Sequence, residues 1–443
     1  MKHITLLILC LYPMLFFGQS TLATLEDMHA VGKGETWESI AAEKGISVEE
    51  LQGANPDVKA NKKLRKGTLL IVPAKRVPQA EATEVVEVAE TPAPTIRTNI
   101  PSLKVGVLLP FSDTKMVAFY RGLLMAADSV RQSGTNIDIH AWNCGNTTTN
   151  IESILPSLKG MDVVFGPTSS TQTAIVAEHC QKQGTRLVLP FWSGQTLSQY
   201  PLVYNATAPN SVLYEAAAKK IKNCFADKNF VIVQCESSDS QSKALCDALS
   251  KELKGQKGVQ KTLPIEGSET AYLAALDSLK GNVILMDNSS MRMLSIMTAR
   301  IKDFCQKHPS FSLSLIGHPE WLNETDRYLE DFFTANTYVV SPHYFNVLDK
   351  KTMHFQRTYE KNFRVYMTIS NPRYAALGFD LGYYFLNGLS RMGDNFEHTQ
   401  SNLLQEPYQN RFQFVRDASG LSFTNAFVQL VHYSPERKIE LIR

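Results

Sequence analysis

The run Ser240-Gln241-Ser242-Lys243 fits S-x-x-K, a spacing that sets a serine hydroxyl one helical turn before a lysine amine, as acyl transfer through a serine would need. Two fixed positions arise by chance in a chain of 443 residues. The companion K-T-G and S-D-N runs are absent, and the stretch opens an amphipathic helix, so no catalysis is expected there. Neither H-E-x-x-H nor G-x-S-x-G occurs. Cys144, Cys180, Cys224, Cys235, Cys246 and Cys305 show no C-x-x-C or zinc-ligand spacing, and no bridge among them is assigned. His29, His318 and His343 read as strand-edge or turn residues. No catalytic residue, metal site or cofactor is expected.

The residues better placed for chemistry are polar groups that directly follow short apolar runs. Ser112 follows Lys104–Leu109, Thr168-Ser169-Ser170 follow Asp162–Phe165, Trp192-Ser193 follow Arg186–Leu189, and Glu320-Trp321 follow Leu313–Ile316. Hydroxyls beside the amides of a helix start accept an anion, a carboxylate accepts an ammonium, and a large aromatic can fill a cleft or stack on a sugar ring. The plainer account of the same residues is that Thr168–Ser170 cap a helix beginning near Thr171 and that Glu320 faces water.

The elements that must hold these groups alternate along the chain. Strands at 104–109, 137–141, 162–165 and 186–189 are separated by helices at 117–130, 151–158 and 171–183. The alternation restarts with strands at 230–233, 283–286 and 313–316 and helices at 239–253 and 290–307. Short apolar strands separated by helices imply parallel sheets covered on both faces. Two such series imply an α/β chain with two doubly wound lobes, whose ligands lie beyond the carboxyl ends of the strands.

Three shorter segments precede this. Ile4–Phe17 is almost entirely apolar behind Lys2 and His3, with Gly18-Gln19-Ser20 beyond it, which reads as an export signal over residues 1–20. It is too short for a comfortable membrane span, and no later stretch is apolar enough for one. Residues 28–74 carry two strand patterns around two helix starts: Thr36 before Trp37, and Ser47 with Glu50 at capping-box spacing. Residues 75–102 hold Pro78, Pro92, Pro94 and Pro101, evenly spaced Glu81, Glu84, Glu87 and Glu90, and no aromatic, as a disordered linker would. The net charge of +2 gives no reason to expect nucleic acid as a partner.

Two resemblances sharpen the reading. His29-Ala30-Val31, Gly34 to Ala41, Gly45-Ile46-Ser47, Leu51, Asn55-Pro56 and Leu64 to Pro73 resemble a LysM module, a small βααβ unit that binds bacterial cell-wall glycans. That resemblance implies peptidoglycan as a partner, with N-acetylglucosamine units held by Gly34, Glu35, Thr36, Asn55, Pro56, Asp57 and Val58, and Trp37 in the core. Lys104 to Ser112, Phe119 to Gly122, Asp162 to Pro167, Leu187 to Ser193, Ile316 to Trp321 and Tyr374 to Asp380 resemble type I periplasmic binding proteins. Among them the style is close to amino-acid-binding proteins and to penicillin-binding-protein activators.

This second resemblance implies two lobes over residues 103–443. Lobe one would take 103–210 and 345–406, and lobe two 211–344 and 407–443. The last crossing would fall near Pro407, with Phe412–Val415 in lobe two. It implies that Ser112, Thr168, Ser169, Ser170 and Ser193 hold a ligand carboxylate and that Glu320 holds its amine, with Trp192 and Trp321 beside them. The function expected is a non-enzymatic protein of the periplasm or cell envelope, tethered to peptidoglycan. Its lobes would bind a small ligand such as an amino acid or regulate a cell-wall synthase. The alternatives are a solute receptor serving a permease, and a LysM-targeted peptidoglycan hydrolase.

Overall fold

The computed structural model describes residues 28–55, 58, 63–66, 68–72, 98–192, 194, 197–254, 260–399, 406–416 and 421–443. The expected export signal, most of the linker, Pro56, Asp57 and Ser193 lie outside them. The chain divides into two units, Met1–Ala93 and Pro94–Arg443.

In the first unit, β1 (Met28–Ala30) pairs antiparallel with β2 (Leu69–Ile71), and α1 (Trp37–Lys44) and α2 (Val48–Gly53) lie between them in sequence. Both helices open with reciprocal capping boxes, Thr36 with Ser39 and Ser47 with Glu50, which satisfy amides that a helix start leaves unpaired. Gly45 ends α1 at φ 67°, a left-handed backbone that favours glycine. Val31, Trp37, Ile40, Ala41, Leu51 and Leu70 form a small core.

The larger unit opens with β3 (Ser102–Leu109), α3 (Thr114–Gln132), β4 (Asn136–Asn143), α4 (Thr148–Ile154), β5 (Val163–Phe165), α5 (Ser170–Gln183), β6 (Arg186–Leu189) and β7 (Val203–Asn205). The chain then crosses to α6 (Asn210–Cys224), β8 (Asn229–Gln234), α7 (Ser240–Leu253), β9 (Gln260–Pro264), α8 (Glu269–Ala275), β10 (Asn282–Met286), α9 (Met291–Lys307), β11 (Leu313–Gly317), α10 (Thr325–Thr334) and β12 (Thr337–Ser341). It returns through α11 (Lys350–Phe363), α12 (Tyr374–Met392), β13 (Phe414–Arg416) and β14 (Phe423–Asn425), and finishes with β15 (Gln429–Tyr433) and β16 (Ile439–Ile442).

Two seven-stranded sheets result, ordered β13-β14-β7-β6-β5-β3-β4 in lobe one and β16-β15-β12-β11-β10-β8-β9 in lobe two. The strands from β3 to β7 and from β8 to β12 are parallel within their sheets, as their apolar runs require of strands covered on both faces. Antiparallel strands complete the far edges.

The last crossing departs from the sequence-based expectation. Phe412–Val415 belongs to lobe one, because β13 and β14 form a hairpin whose β14 runs parallel to β7. The chain changes lobe only after Asn425. The cause is aromatic packing: the Phe423 ring stacks on Tyr204 with centroids 4.5 Å apart, and Phe414 meets Tyr204 edge-on at 5.3 Å. Asn425 fixes the corner by donating from Nδ2 to the Ala206 carbonyl and accepting the Gln413 and Phe427 amides at Oδ1.

Helices α3 and α12 pack with almost no separation. A Cβ on Gly122 would stand 1.9 Å from the Ala375 carbonyl oxygen, and one on Gly378 would stand 2.0 Å from that of Phe119. The bare backbones are what let the first and last long helices of lobe one share a seam.

Candidate functional site

In the small unit, Glu35 is a structural anchor. Its Oε2 accepts the Gly32 amide at 2.7 Å and lies 2.8 Å from His29 Nε2, and these contacts hold its carboxyl below the usual range. Thr36 is the N-cap of α1. Asn55 is buried and donates from Nδ2 to the Leu51 carbonyl, while its own carbonyl accepts the Val58 amide. Gly34 stands at φ 92° with open space where a Cβ would be. Among the described residues, Glu35, Thr36 and Asn55 are therefore held by hydrogen bonds within their own loops. Trp37 is 5% exposed and belongs to the core, as expected from the pattern.

In the larger unit a cavity of about 320 Å³ lies between the lobes. Lobe one supplies Phe191, Ala206, Thr207, Ala208, Asn371 and Tyr374; lobe two supplies Leu213, Tyr214, Pro319, Glu320 and Asn323; the crossing segments supply Ser341, His343, Asn410 and Phe427. The lining after β6, β7, β11 and β12 follows from the rule that ligands gather at the carboxyl ends of parallel strands. Phe191 leans on Tyr374 at 5.7 Å and on Phe119 at 6.1 Å, so one wall is aromatic and backed by the lobe-one core.

The polar part of the wall is sparse. Glu320 is exposed and makes no hydrogen bond or ion pair among the described residues. Burial, with the charge of Glu320 second, pushes the Tyr214 hydroxyl up to about 12. His343 sits 2.8 Å from Asn371 Oδ1, and Asn371 Nδ2 donates to Asn323 Oδ1 at 3.1 Å. That last bond joins a lobe-one loop to lobe two at the cavity rim. Burial holds His343 below the usual histidine range.

The other expected cleft residues distribute differently. Ser112 is exposed after β3, and Thr168, Ser169 and Ser170 lie at the start of α5, beside the point where the lobe-one strand order reverses. Ser169 is the N-cap of α5, but its hydroxyl is 2.8 Å from that of Thr171 and caps no amide. Trp192 is half-buried. None of these lines the inter-lobe cavity.

Trp321 is a correction. It has no exposed surface, donates from Nε1 to the Ser289 carbonyl at 2.7 Å, and lies face to face with Phe332. The short helical turn at Pro319–Glu324 turns its indole inward while Glu320 faces outward. It supports the site from behind and cannot touch a ligand.

The S-x-x-K stretch is helix-cap chemistry. Asp239 is the N-cap of α7, accepting the Ser242 amide and hydroxyl at 2.8 and 2.7 Å and the Ser289 amide and hydroxyl at 2.7 and 3.0 Å. Burial opposes its ionisation, but those bonds outweigh it and hold the carboxyl at about 2. Ser240 and Lys243 are both exposed.

Sequence reasoning missed most of the cavity wall: Tyr214, Asn323, Asn371, Tyr374 and Asn410. It also missed Asp380, fully buried on α12, which accepts the backbone amides of Tyr408, Gln409 and Asn410 at 2.7–2.9 Å. Gln409 in turn accepts the Tyr344 amide at its carbonyl, so Asp380 pins the segment that lies against the second lobe crossing. Burial pushes the Asp380 carboxyl up to about 7 against the pull of those three donors.

Comparison with known proteins agrees with this architecture. A family profile described as LysM domain matches residues 29–73. No curated protein sequence matches the chain. Among solved structures, a putative branched-chain amino acid ABC transporter from Rhodospirillum rubrum is similar with a TM-score of 0.53 at 11% identity, covering 77% of this chain and 100% of that one. An ABC-type branched-chain amino acid transporter from Rhodopseudomonas palustris CGA009 aligns with a TM-score of 0.48 at 11% identity, covering 77% of this chain and 96% of that one. Among the described residues, no helix is long and apolar enough to cross a membrane. Residues 29–73 are thus a LysM domain, and the larger unit carries the α/β fold of type I periplasmic binding proteins.

Proposed function

We propose that this is a non-enzymatic protein of the bacterial cell envelope, held on peptidoglycan by its LysM domain, whose two-lobed unit binds a small amphipathic ligand between the lobes. The observation that carries the reading is the inter-lobe cavity, with an aromatic wall at Phe191, Tyr214 and Tyr374 and an unpaired carboxylate at Glu320. A ligand with an apolar body and an ammonium group, an amino acid or a short peptide, fits that chemistry. Contact of a ligand carboxylate with Ser112, Thr168, Ser169, Ser170 and Ser193 is proposed on the resemblance, although Ser112, Thr168, Ser169 and Ser170 do not line the cavity. Glycan contact by Gly34, Glu35, Thr36, Asn55, Pro56, Asp57 and Val58 is proposed on the LysM match.

Two measurements test this. The fragment Met28–Lys75 is expected to sediment with purified peptidoglycan, and the fragment from Leu103 onward is not; equal behaviour of the two removes the tethering assignment. The larger fragment is expected to gain thermal stability with amino acids or muropeptides. Failure of every ammonium-bearing ligand to shift it would remove the small-ligand half and leave regulation of a cell-wall synthase as the reading to pursue.

A further inference from the structure

We propose that the outward face of α11, with the groove beside it, is a docking surface for an acidic protein segment that carries apolar side chains. The helix turns its apolar residues inward: Phe355 and Tyr359 are buried with Met125, Met367, Ala375 and Ala376. Its outward face is a cationic row. Lys350, His354, Arg357 and Lys361 recur at i, i+4, i+7 and i+11, so at helical pitch they share one stripe; Arg364 follows as the C-cap at φ 56°, and all five are exposed. No ion pair among the described residues engages Lys350, Arg357, Lys361 or Arg364. The acids of the helix are otherwise committed: Asp349 accepts the Lys351 amide as N-cap, and Glu360 accepts from the Gln356 side chain at 3.0 Å.

Apolar side chains stand free at both ends of this row. Leu348 is 76% exposed before the helix, and Tyr366 and Ile369 are 87% and 85% exposed after it. Val347 and Ile369 meet in one groove of about 390 Å³, whose wall also holds Leu322, Phe345 and Arg373. Singly exposed apolar residues are ordinary, but here Val347, three residues before the cationic row begins at Lys350, lines a concave groove with Ile369, and Arg373 and Asp326 stand on its wall. Such a pairing of apolar groove and cationic stripe marks a partner-binding face. The cations would steer an acidic segment and fix its orientation, and the groove would take its apolar anchors.

A protein segment suits this surface better than an anionic bilayer. A helix that lies on a membrane presents its apolar face outward, whereas α11 buries that face in the core. The groove is recessed, and a planar surface does not enter it. The groove also adjoins the inter-lobe cavity through Asn323 and Asn371, the pair bonded across the lobes. A docked partner would therefore touch the rim where the lobes meet. The surface does not depend on the cavity holding a small ligand.

The test uses the full chain and a labelled synthetic peptide alternating glutamate with leucine and phenylalanine, followed by fluorescence anisotropy. Binding is expected, weakening as salt rises, and falling at least about tenfold in Arg357→Glu/Lys361→Glu and in Tyr366→Ser/Ile369→Ser. Glu320→Ala should leave peptide binding unchanged, which separates this surface from the cavity. All the altered side chains on the surface are exposed, so the unfolding temperature should hold; if either double variant is unstable, Lys350→Glu alone is expected to weaken binding several-fold. The proposal is overturned if the glutamate peptide does not bind, or if its lysine-for-glutamate counterpart binds equally well. It is also overturned if the variants bind like the parent, or if the protein floats with phosphatidylglycerol vesicles while ignoring the peptide.

Discussion

Glu320 and Trp321 are adjacent in sequence, yet the backbone turn at Pro319–Glu324 sends one side chain into the cavity wall and the other into the core. Their substitutions should therefore separate cleanly. Glu320→Ala is expected to leave the unfolding temperature unchanged and to weaken an ammonium-bearing ligand about tenfold or more, as loss of a charge-assisted contact does. Trp321→Ala removes a fully buried indole and its bond to Ser289, and is expected to destabilise the fold by about 3–5 kcal/mol. Calorimetric titration beside thermal unfolding reads both; a Trp321→Ala protein of normal stability would contradict the placement. Asp380→Asn tests a different residue logic. Three amides converge on two carboxylate oxygens, and an asparagine offers one oxygen and an NH₂, so at least one buried amide loses its acceptor. The expected cost is about 1–3 kcal/mol, read by denaturant unfolding.

At the scale of elements, the seam between α3 and α12 is the most exacting contact in lobe one. Gly122→Ala places a methyl group inside the van der Waals radius of the Ala375 carbonyl, and Gly378→Ala does the same at Phe119. Each should cost at least about 1–3 kcal/mol from overpacking, despite the better helix propensity of alanine, and chemical denaturation would show it. Strands β3 to β6, β8, β10 and β11 were legible in the sequence, because parallel strands buried on both faces are written as short continuous apolar runs, whereas β7, α6, β9 and α8 were not read from it. The edge of lobe one was not. Phe414 and Phe423 carry no mark of which sheet they join; only the tertiary contact with Tyr204 decides it. The cavity wall was equally hidden. Tyr214 sits on a helix, Tyr374 opens another, and Asn371 and Asn410 come from the returning chain, so their meeting depends on the crossings. Glu320 follows a strand and lines the cavity, but Ser112, Thr168, Ser169, Ser170 and Trp192 follow strands too and do not, so a strand end alone does not select the wall.

At the scale of the whole molecule, the two lobes should respond to acid in opposite directions. In lobe two, burial pushes His318 down to about 4 from 6.5, with the charge of Asp239 and the Met286 carbonyl pulling it back. The folded state therefore binds fewer protons there than the unfolded chain. The contribution is complete above about pH 6.5 and is lost as pH falls toward 4; at pH 5 the loss is about 2 kcal/mol. In lobe one, Asp380 is raised to about 7 from 3.8, so the folded state holds a proton that the unfolded chain releases. That contribution is complete below about pH 3.8 and is lost as pH rises through 7, so moving from pH 7 to pH 5 restores about 2 kcal/mol. Asp239, held at about 2, acts only below this window. Between pH 7 and 5 lobe two should weaken while lobe one stiffens. Amide exchange on β10 and β11 should speed up relative to α3 and α12, and His318→Gln should reduce the lobe-two trend, leaving the smaller part due to His432, which burial also holds below the usual histidine range. Equal acceleration in both lobes would mean that the acid response belongs to neither buried group.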